Sequence, residues 1–197
     1  MDMPAIVATS KLFQKLSEDQ ELLGSLVSLR SMVAELAETT GRTVPNFTDH
    51  TIRHMDALWR VADQVLSADE IRKLNTAEAF ILGTGFYLHD CGMAYAATDR
   101  GFERLKESAS FKSFLVGFPT ERRDDPEAVA AATAAAVRQL HANAAKELAI
   151  NEIPGSNGRF LFEAKTVREL WGATCGEIAS SHHWNLSQLE NQFGKLG

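Results

Sequence analysis

The chain has 197 residues, of which 45% are apolar and 23% are charged, and its net charge is −6. A chain of this length and composition can bury one sizeable core, so we expect a single globular domain. The negative charge argues against broad nucleic-acid binding, which needs a basic surface. No apolar run reaches about 18 residues, and Met1 to Ser10 lacks a signal-peptide pattern, so we expect a cytoplasmic protein without a membrane span.

Apolar residues recur at helical spacing along almost the whole chain, so we predict an all-α helical bundle. A long first helix covers residues 10–39 and ends at Gly41. A second helix follows the turn at Pro45 and runs to about Leu66. Thr48 or Asp49 is predicted to cap this helix. Its predicted apolar face consists of Leu58, Val61, Ala62 and Val65.

Further helices are predicted in the remainder of the chain. An Asn–x–x–Glu capping box opens a helix over residues 75–88. Residues 98–125 are less regular and indicate a short helix flanked by loops. An Asp–Pro–Glu start signal opens an alanine-rich helix over residues 125–148. Residues 151–158 form a turn-rich linker, and a last long helix covers residues 160–182.

All six histidines fall in four clusters on predicted helices. They are His50 and His54, His89, His141, and His182 and His183. His89 and Asp90 end an apolar segment, where a strong ligand beside a carboxylate suggests the floor of a pocket. His50 and His54 share one helix face because they are four residues apart. Four helices can therefore present imidazole and carboxylate ligands to one cavity.

Each histidine taken alone also has a structural explanation. An imidazole can bond a backbone group or lie solvated on an exposed helix face. His182 and His183 would also complement the negative end of the helix dipole. The pair His89–Asp90 is harder to explain in this way, and one shared site accounts for all four clusters more economically.

The chain resembles the HD superfamily of metal-dependent phosphohydrolases over about residues 46–190. The segments that carry the resemblance are Phe47 to His54 (FTDHTIRH), Leu88 to Met93 (LHDCGM), Arg138 to Ala142 (RQLHA) and Ile178 to His183. The sequences of these segments are most similar to the HD-CE type. A His–Asp pair alone is a modest motif, but four elements in order are more specific. The resemblance implies an HD-type domain over residues 46–197, with residues 1–45 as an N-terminal helix that packs on its core.

The resemblance also implies a metal centre that holds one or two divalent transition-metal ions, Mn, Fe, Ni or Zn. The residues that match metal ligands are His54, His89, Asp90, His141, and His182 or His183. Asp90 matches the ligand that bridges two ions. The aspartate that closes the family's first site on a later helix is absent, because the last aspartate is Asp125 and only Glu190 could substitute weakly. We expect either that the chain is the front of a longer protein or that the site is degenerate.

An intact site would hydrolyse a nucleotide-type phosphate ester through a metal-activated water. Asp90 would hold the metals and orient the water, and His182 or His183 would protonate the leaving oxygen. The residues expected to bind the phosphate-containing substrate are His50, Arg53 and Arg138. The alternative is a non-catalytic module that senses a nucleotide or metal and signals to a C-terminal region, for which the resemblance suggests a GHKL-type ATPase.

Other function classes have little support. A helical scaffold without a ligand would have little need for these histidines. No P-loop or GxGxxG signature is present, so a kinase or a dinucleotide enzyme is unsupported. Cys91 lies within the His–Asp motif, which already explains its surroundings. We therefore interpret Cys91 and Cys175 as buried residues in a reducing compartment rather than as nucleophiles.

Overall fold

A computed structural model describes residues 3–43 and 51–194 of the chain. Within these residues it has α-helices, three short 3-10 helices and no strand, so the all-α prediction is confirmed. The α-helices are α1 (Ala5–Ala8), α2 (Lys11–Leu16), α3 (Gln20–Thr43), α4 (Ile52–Val65), α5 (Ala68–Lys73), α6 (Thr76–Leu88), α7 (Asp99–Glu107), α8 (Ala109–Val116), α9 (Pro126–Leu148), α10 (Lys165–Ser180) and α11 (Leu186–Phe193). The 3-10 helices are Cys91–Ala97, Thr120–Arg122 and Ser181–His183.

The prediction of one long first helix is wrong, because the chain breaks between α2 and α3. Asp19 causes the restart: its Oδ1 accepts the backbone N–H groups of Glu21 and Leu22 at 3.0 and 3.1 Å. Gly41 does not end α3, which continues to Thr43. A single glycine costs about 1 kcal/mol inside a helix, which the packing of a long helix can offset.

The second predicted helix corresponds to α4, but its cap and two of the four residues of its apolar face were predicted wrongly. Thr51 occupies the N-cap position, while Thr48 and Asp49 lie outside the described residues. Val61 and Val65 are 45% and 74% exposed. The residues that α4 buries are Met55, Asp56, Trp59 and Ala62. Burying the large indole of this set removes more apolar area from water than either valine would.

Start signals predicted two helices well. Asn75 and Glu78 form the expected capping box of α6, with hydrogen bonds of 2.7 and 2.8 Å. Asp125 is the N-cap of α9 and Pro126 is its first residue, although the Asp125 side chain makes no capping bond. The helix predicted to begin at Phe160 begins five residues later as α10, because Phe160 pairs with Glu152 in an isolated antiparallel bridge.

Other helices were missed or merged in the prediction. Residues 98–125 hold two helices, α7 and α8, instead of one, since Thr98 and Ser108 each cap a separate helix. Three short α-helices, α1, α5 and α11, were not predicted. The last two each begin with a capping box, formed by Ser67 with Glu70 in α5 and by Asn185 with Gln188 in α11.

Two hydrophobic clusters hold the helices together. The larger joins α1 to α4, α6, the end of α9 and α10, and the smaller joins the 3-10 helix Cys91–Ala97 to α7, α8 and α9. α6 crosses the larger cluster with Phe80, Tyr87 and Leu88 fully buried. α3 contributes to the same cluster and packs against α6 and the 3-10 helix Cys91–Ala97. In the part of the chain that the structure describes, no helix combines the length and apolarity needed to cross a membrane.

Candidate metal centre

His89 and Asp90 lie at the end of α6, where the chain enters the 3-10 helix Cys91–Ala97. Nε2 of His89 lies 2.8 Å from Oδ2 of Asp90. The Asp90 side chain is only 6% exposed. A carboxylate so poorly hydrated needs nearby groups that balance its charge.

His54 comes from α4 and completes a first group of ligands. Its Nε2 lies 3.9 Å from the same Oδ2 of Asp90. One ligand atom from each of His54, His89 and Asp90 lies within 4.8 Å of the other two. The His54 side chain is 40% exposed, so the first group is open to solvent on the α4 side.

His141, His182 and His183 form a second group of ligands. His141 projects from the middle of α9 and is buried, whereas His182 and His183 follow α10 and are exposed. Nε2 of His141 lies 3.6 Å from Oδ1 of Asp90 and 3.1 Å from Nε2 of His182. Asp90 therefore lies between the two groups, with Oδ2 toward the first group and Oδ1 toward the second.

Three of the imidazoles are held in one tautomer by their own helices. In each, Nδ1 lies near the carbonyl oxygen three residues earlier: His89 to Phe86 at 3.0 Å, His141 to Arg138 at 2.9 Å, and His182 to Ala179 at 2.6 Å. A carbonyl oxygen can only accept, so Nδ1 carries the proton and Nε2 keeps its lone pair.

These lone pairs face acceptors and not donors. Nε2 of His89 faces a carboxylate oxygen, and Nε2 of His141 faces Nε2 of His182. Neither contact is a hydrogen bond without an added proton, and a cation bound between the two atoms would be the other way to make the contact favourable. Burial opposes the proton, because it lowers the pKa of His141 to about 4 and also lowers the pKa of His182.

A divalent cation fits this arrangement better than a proton. Two imidazole nitrogens bound to one ion at about 2.0–2.1 Å lie about 2.9 Å apart at a right angle and about 3.3 Å apart at the tetrahedral angle. The 3.1 Å separation between the Nε2 atoms of His141 and His182 lies within that range. Imidazole with carboxylate suits zinc, iron, manganese and nickel and selects poorly among them. The donor set is thus compatible with a transition-metal ion in each group.

Gly92 is a site residue whose role the sequence did not reveal. A Cβ at this position would overlap the carbonyl oxygen of His141 and would lie 2.7 Å from the backbone nitrogen of Ala145. The absence of a side chain lets the Cys91–Ala97 helix lie directly against the α9 backbone. This contact places Asp90 within 3.6 Å of His141.

The remaining residues of the sequence prediction are less directly involved. His50 lies outside the described residues. Arg53 and Arg138 are exposed on α4 and α9, and Arg138 reaches the centre through its backbone carbonyl. Among the described residues, neither group of ligands includes Asp125, which occupies the N-cap position at the far end of α9, or Glu190 of α11.

Both cysteines are buried, as the sequence predicted. Burial raises the pKa of the Cys175 thiol to about 12 and raises the pKa of Cys91 further still. Neither thiol is therefore ionised near neutral pH, and a thiolate nucleophile is not supported.

An all-helical fold with imidazoles gathered around a buried carboxylate defines a class of protein whose side chains could hold divalent metal ions. A family model described as HD-CE matches residues 44–196, which is most of the chain, and the chain belongs to the HD-CE family. The expected membership is confirmed. No curated protein and no solved structure matches the chain. The family match identifies an HD-type domain and specifies neither substrate nor metal.

Proposed function

We propose that the chain is a metal-dependent phosphohydrolase that acts on a nucleotide-type phosphate ester. The observation that supports this function most directly is the position of Asp90 between the two histidine groups. One carboxylate oxygen lies 2.8 Å from His89 and the other lies 3.6 Å from His141. A carboxylate shared between two metal positions is typical of two-metal sites in which a metal-activated water attacks a phosphoryl group.

The side chains of the centre would divide the chemistry among them. A bound divalent ion would acidify a water molecule and withdraw charge from the phosphoryl oxygens. Asp90 would orient that water, because its carboxylate faces both groups. His182 or His183, on the exposed side, would donate a proton to the leaving oxygen when that ring is protonated and does not hold a metal. The proposed contacts to the phosphate-containing substrate are His50, Arg53 and Arg138.

The first test is metal content together with hydrolysis. Tag-free protein purified without chelator should contain one to two equivalents of a transition metal, and a panel of nucleotides should show release of phosphate. His89→Ala and Asp90→Asn should lose both properties. Asp125→Asn is the matched control, because it makes the same chemical change at the other end of α9, about 24 Å from His141 along the helix axis. Metal and turnover that persist in Asp90→Asn would refute the assignment.

A second candidate function is a regulatory module that binds a nucleotide or metal without turnover. One feature of the ligand shell favours it: among the described residues, Asp90 is the only carboxylate in either group. Such a module would pass its signal to a GHKL-type ATPase region of the parent protein. Nucleotide binding that depends on His89, with no product after long incubation, would favour this function over hydrolysis.

A further inference from the structure

A buried polar network joins three helices beside the candidate metal centre. Arg30 of α3 donates two hydrogen bonds to Asp56 of α4, from Nε at 2.8 Å and from a terminal nitrogen at 2.6 Å. The Tyr87 hydroxyl of α6 donates to Oδ1 of Asp56 at 3.0 Å. Nε1 of Trp59 donates to the same hydroxyl oxygen at 3.1 Å. Both carboxylate oxygens are therefore bound, and the charge is balanced inside the core.

The network lies next to the metal-ligating residues on both helices. Asp56 follows His54 by two residues on α4, and Tyr87 precedes His89 by two residues on α6. Two residues correspond to about 3 Å along a helix axis. Asp56 is 4% exposed and Tyr87 is fully buried. A shift of α4 along α6 would therefore strain the network and move His54 relative to His89 at the same time.

We propose that Arg30, Asp56 and Tyr87 form a positioning network that holds His54 in register with the His89–Asp90 pair. The proposal rests on the metal centre described above and adds residues that do not touch the metal or the substrate.

The chemistry of the network favours positioning over simple stabilisation. Both ions lose hydration on burial, so a buried ion pair adds little net stability compared with an apolar pair of similar size. What it adds is direction, because the planar guanidinium fork bonds both carboxylate oxygens in only one arrangement. The neighbouring contact is equally restrictive: the indole of Trp59 occupies the space that a Cβ at Gly83 would need.

The network also connects α3, which carries Arg30, to the metal centre. Arg30 lies before residues 44–196, which the family model matches. Its helix, α3, also packs against the Cys91–Ala97 helix that follows Asp90. α3 thus contacts both segments that flank the first group of ligands.

The experiment compares two mild changes in the network with two controls in the full chain. Tyr87→Phe removes one hydroxyl and keeps the ring, and Arg30→Lys keeps the charge and loses the fork. Glu35→Gln breaks an exposed ion pair that the same helix makes with Arg159 at 2.8 Å. Phe111→Leu weakens the smaller hydrophobic cluster, away from the network. The readouts are Zn²⁺ affinity by competition with a chelating dye, and the imidazole NMR signals of His54 in metal-free protein.

Both network variants should bind Zn²⁺ about 10- to 100-fold more weakly and should shift the His54 signals. The two controls should leave both quantities unchanged. Folded Tyr87→Phe with ordinary affinity and unshifted His54 signals would overturn the proposal, as would an equal loss of affinity in Phe111→Leu at the same melting temperature. If the unmodified protein binds no Zn²⁺, the metal centre itself fails. The His54 signals then still decide whether the network positions that ring.

Discussion

Gly92→Ala is the substitution for which the structure gives the clearest expected magnitude. The added Cβ would lie 2.7 Å from the nitrogen of Ala145, whereas ordinary contacts begin at 3.4 Å, and it would overlap the carbonyl of His141. The Cys91–Ala97 helix must therefore retreat from α9 by about 0.7 Å or more. Overpacking of this kind costs about 1–3 kcal/mol, which corresponds to a fall in melting temperature of roughly 2–12 °C for a chain of this size.

The same displacement should weaken metal binding beyond the loss of stability. It would lengthen the 3.6 Å separation between Asp90 and His141, which joins the two groups of ligands. Calorimetric titration with Zn²⁺ and urea unfolding measure the two effects. Gly24→Ala is the control, because nothing lies within 4 Å of its added Cβ, and it should stabilise α3 by up to about 1 kcal/mol. A Gly92→Ala protein as stable as the original would refute the packing argument.

Three further outcomes follow from the burial and charge of the centre. In metal-free protein, the pKa of buried His141 lies near 4 instead of 6.5, so unfolding free energy should fall as pH drops from 6.5 toward 4. The loss should be about 1–3 kcal/mol after solvent screening, and urea unfolding of His141→Gln should show a shallower fall. Zn²⁺ at 100 times its dissociation constant should stabilise the fold by about 2.7 kcal/mol, measured by thermal melting before and after chelation, and Asp90→Asn should lose this gain. Neither Cys91 nor Cys175 should react with a thiol reagent until urea unfolds the chain, and fast labelling in native protein would contradict their burial.

The sequence predicted the elements with strong local signals. The capping box at Asn75 and the Asp–Pro start at Asp125 are contained within a few residues, so they could be recognised without tertiary information. The same type of signal at Ser67 and Asn185 was missed, because α5 and α11 are too short to show a repeating apolar face. Asp19 was also missed, since its capping role depends on a break within a continuous helical pattern.

The candidate site likewise contains residues that the sequence predicted and residues that it could not predict. The histidine clusters and the resemblance of their motifs were sufficient to predict that the histidines would meet, and the structure places five of them in two groups that meet at Asp90. The role of Gly92 could not be predicted, because it depends on contact with a backbone about 50 residues away. The ion pair between Arg30 and Asp56 could not be predicted either, because it joins two helices that are separated in sequence. Predicting it also required knowing that α4 turns Asp56 toward the core, whereas the apolar pattern placed Val61 and Val65 there.

The ligand shell has a consequence for how metals and phosphate should bind. Among the described residues, Asp90 supplies the only negative charge in either group, because an imidazole that binds a metal does so in its neutral form. Two divalent ions would therefore leave three positive charges uncompensated in a partly buried site, and the second ion should bind weakly by itself. A phosphate group would balance that charge, and linkage requires that metal and phosphate each raise the affinity of the other. Titration with Mn²⁺ should show a second equivalent that binds roughly tenfold or more tightly when inorganic phosphate is present. Equal affinity with and without phosphate would mean that the two groups do not share an anionic substrate.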